Sequence, residues 1–399
     1  MDDAKHVPIT LVTRLTSTVP AAIAVVEVDG PMAVSLVQKH WRPNFGSSEL
    51  KVDEIRYGVF RVDPEGSDHR NLDEPGESIV VHRSGEECVE LHCHGGTIAA
   101  ERIIHSLVHH GAARRSPSEW ITSGSEDDFQ AEATMALLQA TTLRTTMILM
   151  DQWRGALRAA VRSIEEHLHH QRFVEANTAI AALEQYSELG LHLLQPWKVV
   201  LCGPPNVGKS SLLNRLLGYT RAIVHEQAGT TRDILAESTS IDGWPVALVD
   251  SAGIRPTHDQ VEHQGIQRAV QAIQGADRVL LLVDPVQGWC REHAEILEQA
   301  GEAKTLVVQT KADISDRRAS SVPSHLPVTL VSNTQKIGLD LLLERVSRSL
   351  VPAPPSQGTP VPFCSRHLQL LDHFSCSTNG GNTRFPLFRR ESTKLHRRT

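Results

Sequence analysis

The sequence predicts an α/β phosphate-loop nucleotide-binding domain, preceded by a helical stretch and, before that, a mixed α/β module. Three observations carry this. The run Gly203-Pro204-Pro205-Asn206-Val207-Gly208-Lys209-Ser210 fits G-x-x-x-x-G-K-[ST]. It sits between an apolar run that reads as a buried strand, Val199-Val200-Leu201, and a helical pattern, Ser211-Leu212-Leu213-Asn214-Arg215-Leu216-Leu217. Upstream, from Asp127 to Leu194, apolar residues recur near helical spacing and no proline occurs between Pro117 and Pro196.

Each element of the nucleotide site has a physical reason. Backbone N–H groups of Gly203, Asn206, Val207, Gly208, Lys209, Ser210 and Ser211, at a helix N-terminus, are expected to cradle the β-phosphate. Lys209 neutralises β/γ charge and counts as catalytic, and Ser210 holds Mg²⁺. Gly229-Thr230-Thr231-Arg232-Asp233 reads as a switch loop, with Thr231 the first choice for Mg²⁺ and the γ-phosphate. Trp244 to Asp250 reads as a strand ending in an acid, and Asp250-Ser251-Ala252-Gly253 gives D-x-x-G. Asp250 is expected to hold a Mg²⁺ water and the Gly253 N–H to sense the γ-phosphate; a plain strand-ending turn is the alternative.

Thr310-Lys311-Ala312-Asp313 follows a further strand and is similar to the N-K-x-D base-reading motif, with Thr for Asn. Asp313 can accept from guanine N1–H and N2–H₂ together, a pair that adenine lacks. Thr310 keeps a hydroxyl but loses the amide, so a weaker loop tether is expected. Ser332 and Asn333 stand where a Ser-Ala base-contact loop is usual.

Composition bounds the rest. A chain of 399 residues suggests two or three domains, and 40% hydrophobic content with 4% aromatics allows sizeable aliphatic cores. No apolar run approaches a membrane span. Met1-Asp2-Asp3-Ala4-Lys5 does not read as a signal peptide. Six scattered cysteines with no C-x-x-C pair suit a reducing, cytoplasmic setting. The net charge of −7 does not advertise nucleic acid.

Four parts are expected: 1–118, an N-terminal α/β module; 119–195, helical; 196–351, the nucleotide domain; and 352–399, a Pro-rich linker, a short helix over His367 to Phe374 and a basic tail. In the first part, strands are read at 21–28, 78–82 and 88–94, helices at 32–40 and 97–110, and a polar loop from Gly58 to Gly76. His92 and His94 share a strand face. They read as metal ligands without a third partner, or as structural residues.

The order of these parts resembles the MnmE/TrmE tRNA-modification GTPases. Val89-Glu90-Leu91-His92-Cys93-His94-Gly95-Gly96 resembles that family's V-E-[IL]-x-C-H-G-G, Gly229 to Asp233 its G-T-T-R-D, Asp250 to Arg255 its D-T-A-G-[IL]-R, and Val261 to Ile266 its V-E-x-x-G-I. The resemblance implies an α/β P-loop GTPase domain inserted in a helical domain, preceded by a mixed α/β folate-binding-like domain that dimerises. It implies GTP hydrolysis with Mg²⁺ and K⁺, Glu262 activating the attacking water, and Asn206 binding K⁺. It also implies an MnmG-type FAD-dependent partner, a homodimer, and tRNA, reached indirectly, with a modified wobble uridine as product.

The departures fall outside the GTPase part. The family's C-[IL]-G-K is absent, its G-R-G-G-I entry is replaced by Ser17-Thr18-Val19-Pro20-Ala21, and Glu27 stands at an arginine position. Gly124-Ser125-Glu126-Asp127-Asp128 stands where the family has Asn-Gly-Lys. Hydrolysis is therefore expected to be retained and folate to bind poorly. The alternative is a GTP-dependent interaction switch, for example in ribosome assembly, without modification chemistry.

Overall fold

The structure is a computed structural model that describes residues 9–18, 21–61, 76–219, 236–251, 269–314, 319 and 321–378. It divides into two compact units, Met1–Glu126 and Asp127–Thr399.

The first unit is a seven-stranded sheet. Its strands are β1 (Leu11–Arg14), β2 (Ile23–Asp29), β3 (Trp41–Pro43), β4 (Ile55–Phe60), β5 (Glu77–His82), β6 (Cys88–His94) and β7 (Ala113–Arg114), in the order β3-β4-β5-β6-β2-β1-β7. All pairs are antiparallel except β1–β7. Alternation along β6 sends Val89, Leu91 and Cys93 into the core and Glu90 and His92 to the opposite, half-buried face. Helices α1 (Ala33–His40) and α2 (Thr97–His109) contribute Val37, Ile103 and Leu107 to that core. A capping box, Ser116 with Glu119, starts α3 (Pro117–Gly124).

The loop expected from Gly58 is partly a strand: β4 continues to Phe60. A Cβ at position 58 would stand 2.3 Å from the Arg42 carbonyl and 2.4 Å from the Trp41 indole nitrogen, so this glycine marks close strand approach and not a turn. Glu27, the departure from the family arginine, is buried on β2 and accepts from Arg115 Nη2 at 3.0 Å and Trp120 Nε1 at 2.5 Å.

In the second unit, helices α4 (Asp128–Leu137), α5 (Leu143–Trp153), α6 (Ala156–His169), α7 (Phe173–Glu184) and α8 (Ser187–Leu191) precede a six-stranded sheet. The sheet contains β8 (Trp197–Cys202), β9 (Ala236–Ile241), β10 (Trp244–Asp250), β11 (Arg278–Val283), β12 (Thr305–Gln309) and β13 (Val328–Leu330), in the order β13-β12-β11-β8-β10-β9. Every pair is parallel except β9–β10. The central strands are continuous apolar runs because both faces are covered. Helices α9 (Lys209–Tyr219), α10 (Arg291–Ala300), α11 (Leu339–Leu350) and α12 (Ser365–Thr378) complete the unit.

One hydrophobic core joins Leu149, Ile164 and Leu183 of the helices to Leu201 and Leu248 of the sheet and to Leu371 and Phe374 of α12. The Pro-rich segment before α12 belongs to it. Val361 and Phe363 are buried, Gln152 bonds Thr359 O and Val361 N, and a Cβ on Gly190 would stand 1.8 Å from the Pro362 carbonyl. The last helix runs from Ser365 to Thr378, longer than the expected 367–374. Its start is clamped: Arg366 donates to both Glu132 carboxylate oxygens, and His367 Nε2 lies 2.8 Å from Glu132 Oε2. Among the described residues, no helix is long and apolar enough to cross a membrane.

Candidate nucleotide-binding site

The phosphate loop leaves the end of β8, the strand flanked by β10 and β11. Its conformation depends on two glycines. Gly203 has φ +138° and a Cβ there would stand 2.6 Å from the Leu282 carbonyl; Gly208 has φ +100°. Asn206, at φ +61°, is a left-handed residue of the type that tolerates that region. Lys209 opens α9, is buried, and its Nζ donates to the Gly203 and Pro204 carbonyls at 2.8 and 2.7 Å. The loop thus curls around its own lysine.

Ser210 and Asp250 come together from different elements. Ser210 Oγ, in the first turn of α9, donates to Asp250 Oδ2 at 2.6 Å, at the end of β10. The parallel register that sets Asp250 opposite Leu201 brings them there. A hydroxyl and a carboxylate adjacent at a helix N-terminus are the oxygen donors that a Mg²⁺ beside phosphates uses. Beside them, burial pushes the Cys202 thiol up to about 12, against a Ser251 hydrogen bond, so it acts as a small core residue.

The base side is assembled from three loop ends. Thr310, buried after β12, donates from Oγ1 to the Val207 carbonyl at 2.9 Å. The tether to the phosphate loop, expected to be weaker without the amide, is made by the hydroxyl. Lys311 has φ +55°, and its Nζ lies 2.5 Å from Asp284 Oδ2. Burial works against the Asp284 carboxylate, but the Lys311 hydrogen bond and the Val286 N–H hold it below the usual range. Ser332 Oγ donates to Asp313 Oδ1 at 2.5 Å, and this bond first of all lowers the Asp313 carboxyl. The Ala312 N–H donates to the Val331 carbonyl, pinning the two loops together.

These groups border a cavity of about 650 Å³ lined by Val207, Gly208 and Ser211 on the phosphate-loop side and by Thr310, Lys311, Asp313 and Asn333 on the other. Among the described residues, Asn333 Oδ1 is buried with no hydrogen-bond partner, and Arg215 of α9 grips the Asn333 carbonyl at 2.7 and 3.1 Å. A cavity lined by an aspartate, a lysine, an asparagine and a phosphate loop fits a polar ligand.

Sequence reasoning missed Asp284 and Arg215. Asp284 carried a signal, an acid closing the apolar strand β11 as Asp250 closes β10; Arg215 carried none. The expected switch residues Gly229, Thr230, Thr231 and Gly253, and the expected catalytic Glu262, lie outside the described residues.

In the first unit, His92 and His94 take separate carboxylates. His92 Nε2 lies 3.3 Å from Glu90 Oε2, and His94 Nδ1 lies 2.5 Å from Glu77 Oε1. Among the described residues, Glu132, Cys364 and His367 stand close enough together to hold a metal ion. Their hydrogen bonds are already allotted, however. The Phe363 N–H donates to His367 Nδ1, so Nε2 carries the proton and faces Glu132. Burial, stronger than the Glu132 contact, lowers the His367 pKa and keeps that ring neutral.

Residues 198–311 match the family described as 50S ribosome-binding GTPase, and residues 10–122 match the N-terminus of the GTP-binding protein TrmE. The tRNA modification GTPase MnmE of Bacillus licheniformis is 31% identical over 364 residues, covering 82% of this chain and 79% of that protein. The MnmE of Synechococcus sp. is 34% identical over 343 residues, covering 76% and 74%. The G domain of the T. maritima FeoB iron transporter aligns with 25% identity and a TM-score of 0.29, over 39% of this chain and 99% of that one. With a phosphate loop, a matching N-terminal domain and relatives of this extent, the chain belongs to the MnmE/TrmE family of tRNA modification GTPases.

Proposed function

We propose that this protein binds and hydrolyses GTP and that hydrolysis serves tRNA modification at the wobble uridine. The observation that carries the nucleotide half is the Ser332–Asp313 bond of 2.5 Å, which orients the Asp313 carboxylate at a cavity that it lines together with the phosphate loop. Gly203, Asn206, Val207, Gly208, Lys209, Ser210 and Ser211 take the phosphates, Thr310, Lys311, Asp313, Ser332 and Asn333 the base side. Ser210 and Asp250 hold Mg²⁺ with Thr231, and Asn206 holds K⁺. A bound Mg²⁺ withdraws charge from the β- and γ-phosphates. Lys209 neutralises what remains. Gly229, Thr230 and Gly253 form the γ-phosphate-sensing switches.

Glu262 orients the attacking water in this reading, because the D-x-x-G run is followed by the apolar Ile254 and offers no glutamine there. Glu262→Ala leaves nucleotide affinity near normal and cuts turnover by roughly 10²–10⁴. Unchanged turnover returns Glu262 to a surface role.

The G domain is inserted between α8 and α12, a reading supported by the core that α7 and α12 share. The resemblance supports a cytoplasmic homodimer working with an MnmG-type FAD-dependent partner. Folate binds poorly in this reading, because Glu27 stands where the family has a cation and is buried against Arg115 and Trp120, and the glycine entry is replaced by Ser17-Thr18-Val19-Pro20-Ala21. Calorimetry with a reduced folate tests this, and saturable micromolar binding overturns it.

The test of the function is tRNA from cells lacking the protein. Loss of the wobble modification supports this reading. Intact modification with altered ribosome profiles points to the interaction switch.

A further inference from the structure

A second cavity, of about 410 Å³, opens on α6 and shares no lining residue with the nucleotide cavity; three of its lining residues are arginines: Arg154, Arg158 and Arg162. Arg158 and Arg162 lie four residues apart on α6, on one face and about 6 Å apart along the axis. Arg154 stands just before them, as the C-cap of α5. The turn between the helices is built for this. Gly155 has φ +104°, and a Cβ there would stand 3.1 Å from Arg158 Nη2. The glycine therefore lets the guanidinium lie over the first turn of α6. Asp127 Oδ2 accepts from Arg158 Nη1 at 2.9 Å and holds it in that pose, while Asp127 Oδ1 caps α4 through the Gln130 N–H.

Arg154 and Arg162 are exposed. The N-terminus of α6 has no side-chain cap and follows the C-terminus of α5 directly, so the two helix ends offset and the positive charge of the groove is that of the guanidiniums. The acids at the groove are Asp127, committed to Arg158 and α4, and Glu165 and Glu166 near Arg162. A single anion needs one such group. Guanidiniums in a row along a groove suit a ligand with repeating anionic groups, and their planar forks match phosphate oxygens. In a chain of net charge −7 this is a local feature and not a consequence of bulk charge.

We propose that the Arg154–Arg158–Arg162 groove binds the phosphodiester backbone of an RNA. Resting on the reading of the chain as a tRNA modification GTPase, the RNA is tRNA.

The experiment titrates the full chain against an unmodified tRNA transcript at several KCl concentrations. Each lost phosphate contact lowers the dependence of log affinity on log salt by about one. Arg154→Ala/Arg162→Ala is expected to weaken binding by about tenfold or more at low salt, to flatten the salt slope by about one to two, and to leave GTP turnover without RNA at the wild-type rate. Arg154→Lys/Arg162→Lys keeps the slope. Wild-type affinity and slope in the alanine variant overturn the groove while leaving the tRNA reading intact. Absence of tRNA binding by the wild type overturns the groove and leaves the reading in which tRNA is reached through the partner, which the wobble-modification test decides separately. Displacement of tRNA by polyglutamate as readily as by polyuridylate of equal length assigns the groove to an acidic protein and overturns the proposal.

Discussion

Ser210 and Asp250 are 40 residues apart in sequence and share a hydrogen bond of 2.6 Å, hydroxyl to carboxylate, at the point where α9 begins and β10 ends. The bond places the two oxygens side by side with the helix N-terminus behind them. It also makes the phosphate loop and the D-x-x-G strand one mechanical unit, since moving either residue breaks it.

The first concerns base choice. Asp313 is exposed and oriented by Ser332, whose hydrogen bond first of all lowers its carboxyl, so the carboxylate offers acceptors only. Asp313→Asn converts one acceptor to a donor. GTP affinity falls by about tenfold or more, and xanthosine triphosphate, which carries a carbonyl in place of the N2 amine, gains relative to GTP. Nucleotide competition measured by fluorescence decides it, and equal GTP affinity in the mutant removes Asp313 from the base site.

The second concerns the tether. Thr310→Val keeps the shape but leaves the Val207 carbonyl without its side-chain donor, a loss of roughly 1–3 kcal/mol for a buried group. The change is expected to lower the thermal midpoint and to weaken GTP binding through the phosphate loop. Thr310→Ser is expected to preserve both. If Val and Ser behave alike, the hydroxyl tether has no energetic role.

The third concerns pH. Burial raises the Glu132 carboxyl, but hydrogen bonds from Arg366 and His367 outweigh it and bring the pKa from 4.5 down to about 2. A folded-state value below the unfolded one means the stabilisation is fully present above pH 4.5 and is lost as pH falls toward 2. It amounts to on the order of 3 kcal/mol. Denaturant unfolding of wild type and Glu132→Gln should therefore differ most near neutrality and converge in acid. A difference that stays constant across that range contradicts the clamp.

The fourth concerns the monovalent cation. Asn206 sits at φ +61° in the phosphate loop with an exposed side chain, so its neutral amide oxygen is free to serve the proposed K⁺. GTP turnover is expected to be several-fold faster in K⁺ than in Na⁺ at equal ionic strength, and Asn206→Ala to erase the difference. Identical wild-type rates in the two salts leave Asn206 as a loop-shaping residue and direct attention to an arginine for charge neutralisation.

The nucleotide site was legible because its chemistry fixes residue types at short spacing. A phosphate loop needs Gly203 and Gly208 where φ is positive, and a strand-ending Asp250 announces itself. What escaped depends on contacts distant in sequence. Asp284 ends an apolar strand as Asp250 does, but its partner Lys311 is 27 residues away, and Arg215 gains its meaning only when the Asn333 carbonyl arrives beside α9. Gly58 to Gly76 reads as a loop because the stretch is polar, yet Gly58 lies within β4, where it permits Trp41 to press on the strand. The Pro-rich run read as a linker because composition does not reveal that Gln152 and Gly190 wait for it. Glu27 looked like the loss of a ligand group; the structure shows a buried acid with its own partners, Arg115 and Trp120.

The central claim is that magnesium-dependent GTP chemistry at Ser210 and Asp250 serves tRNA modification. The most direct measurement is mass spectrometry of wobble uridines in tRNA from cells whose own copy is replaced by Ser210→Ala. The account predicts protein at normal abundance and loss of the wobble modification, restored by a wild-type copy. Full modification in cells that depend on Ser210→Ala would contradict it.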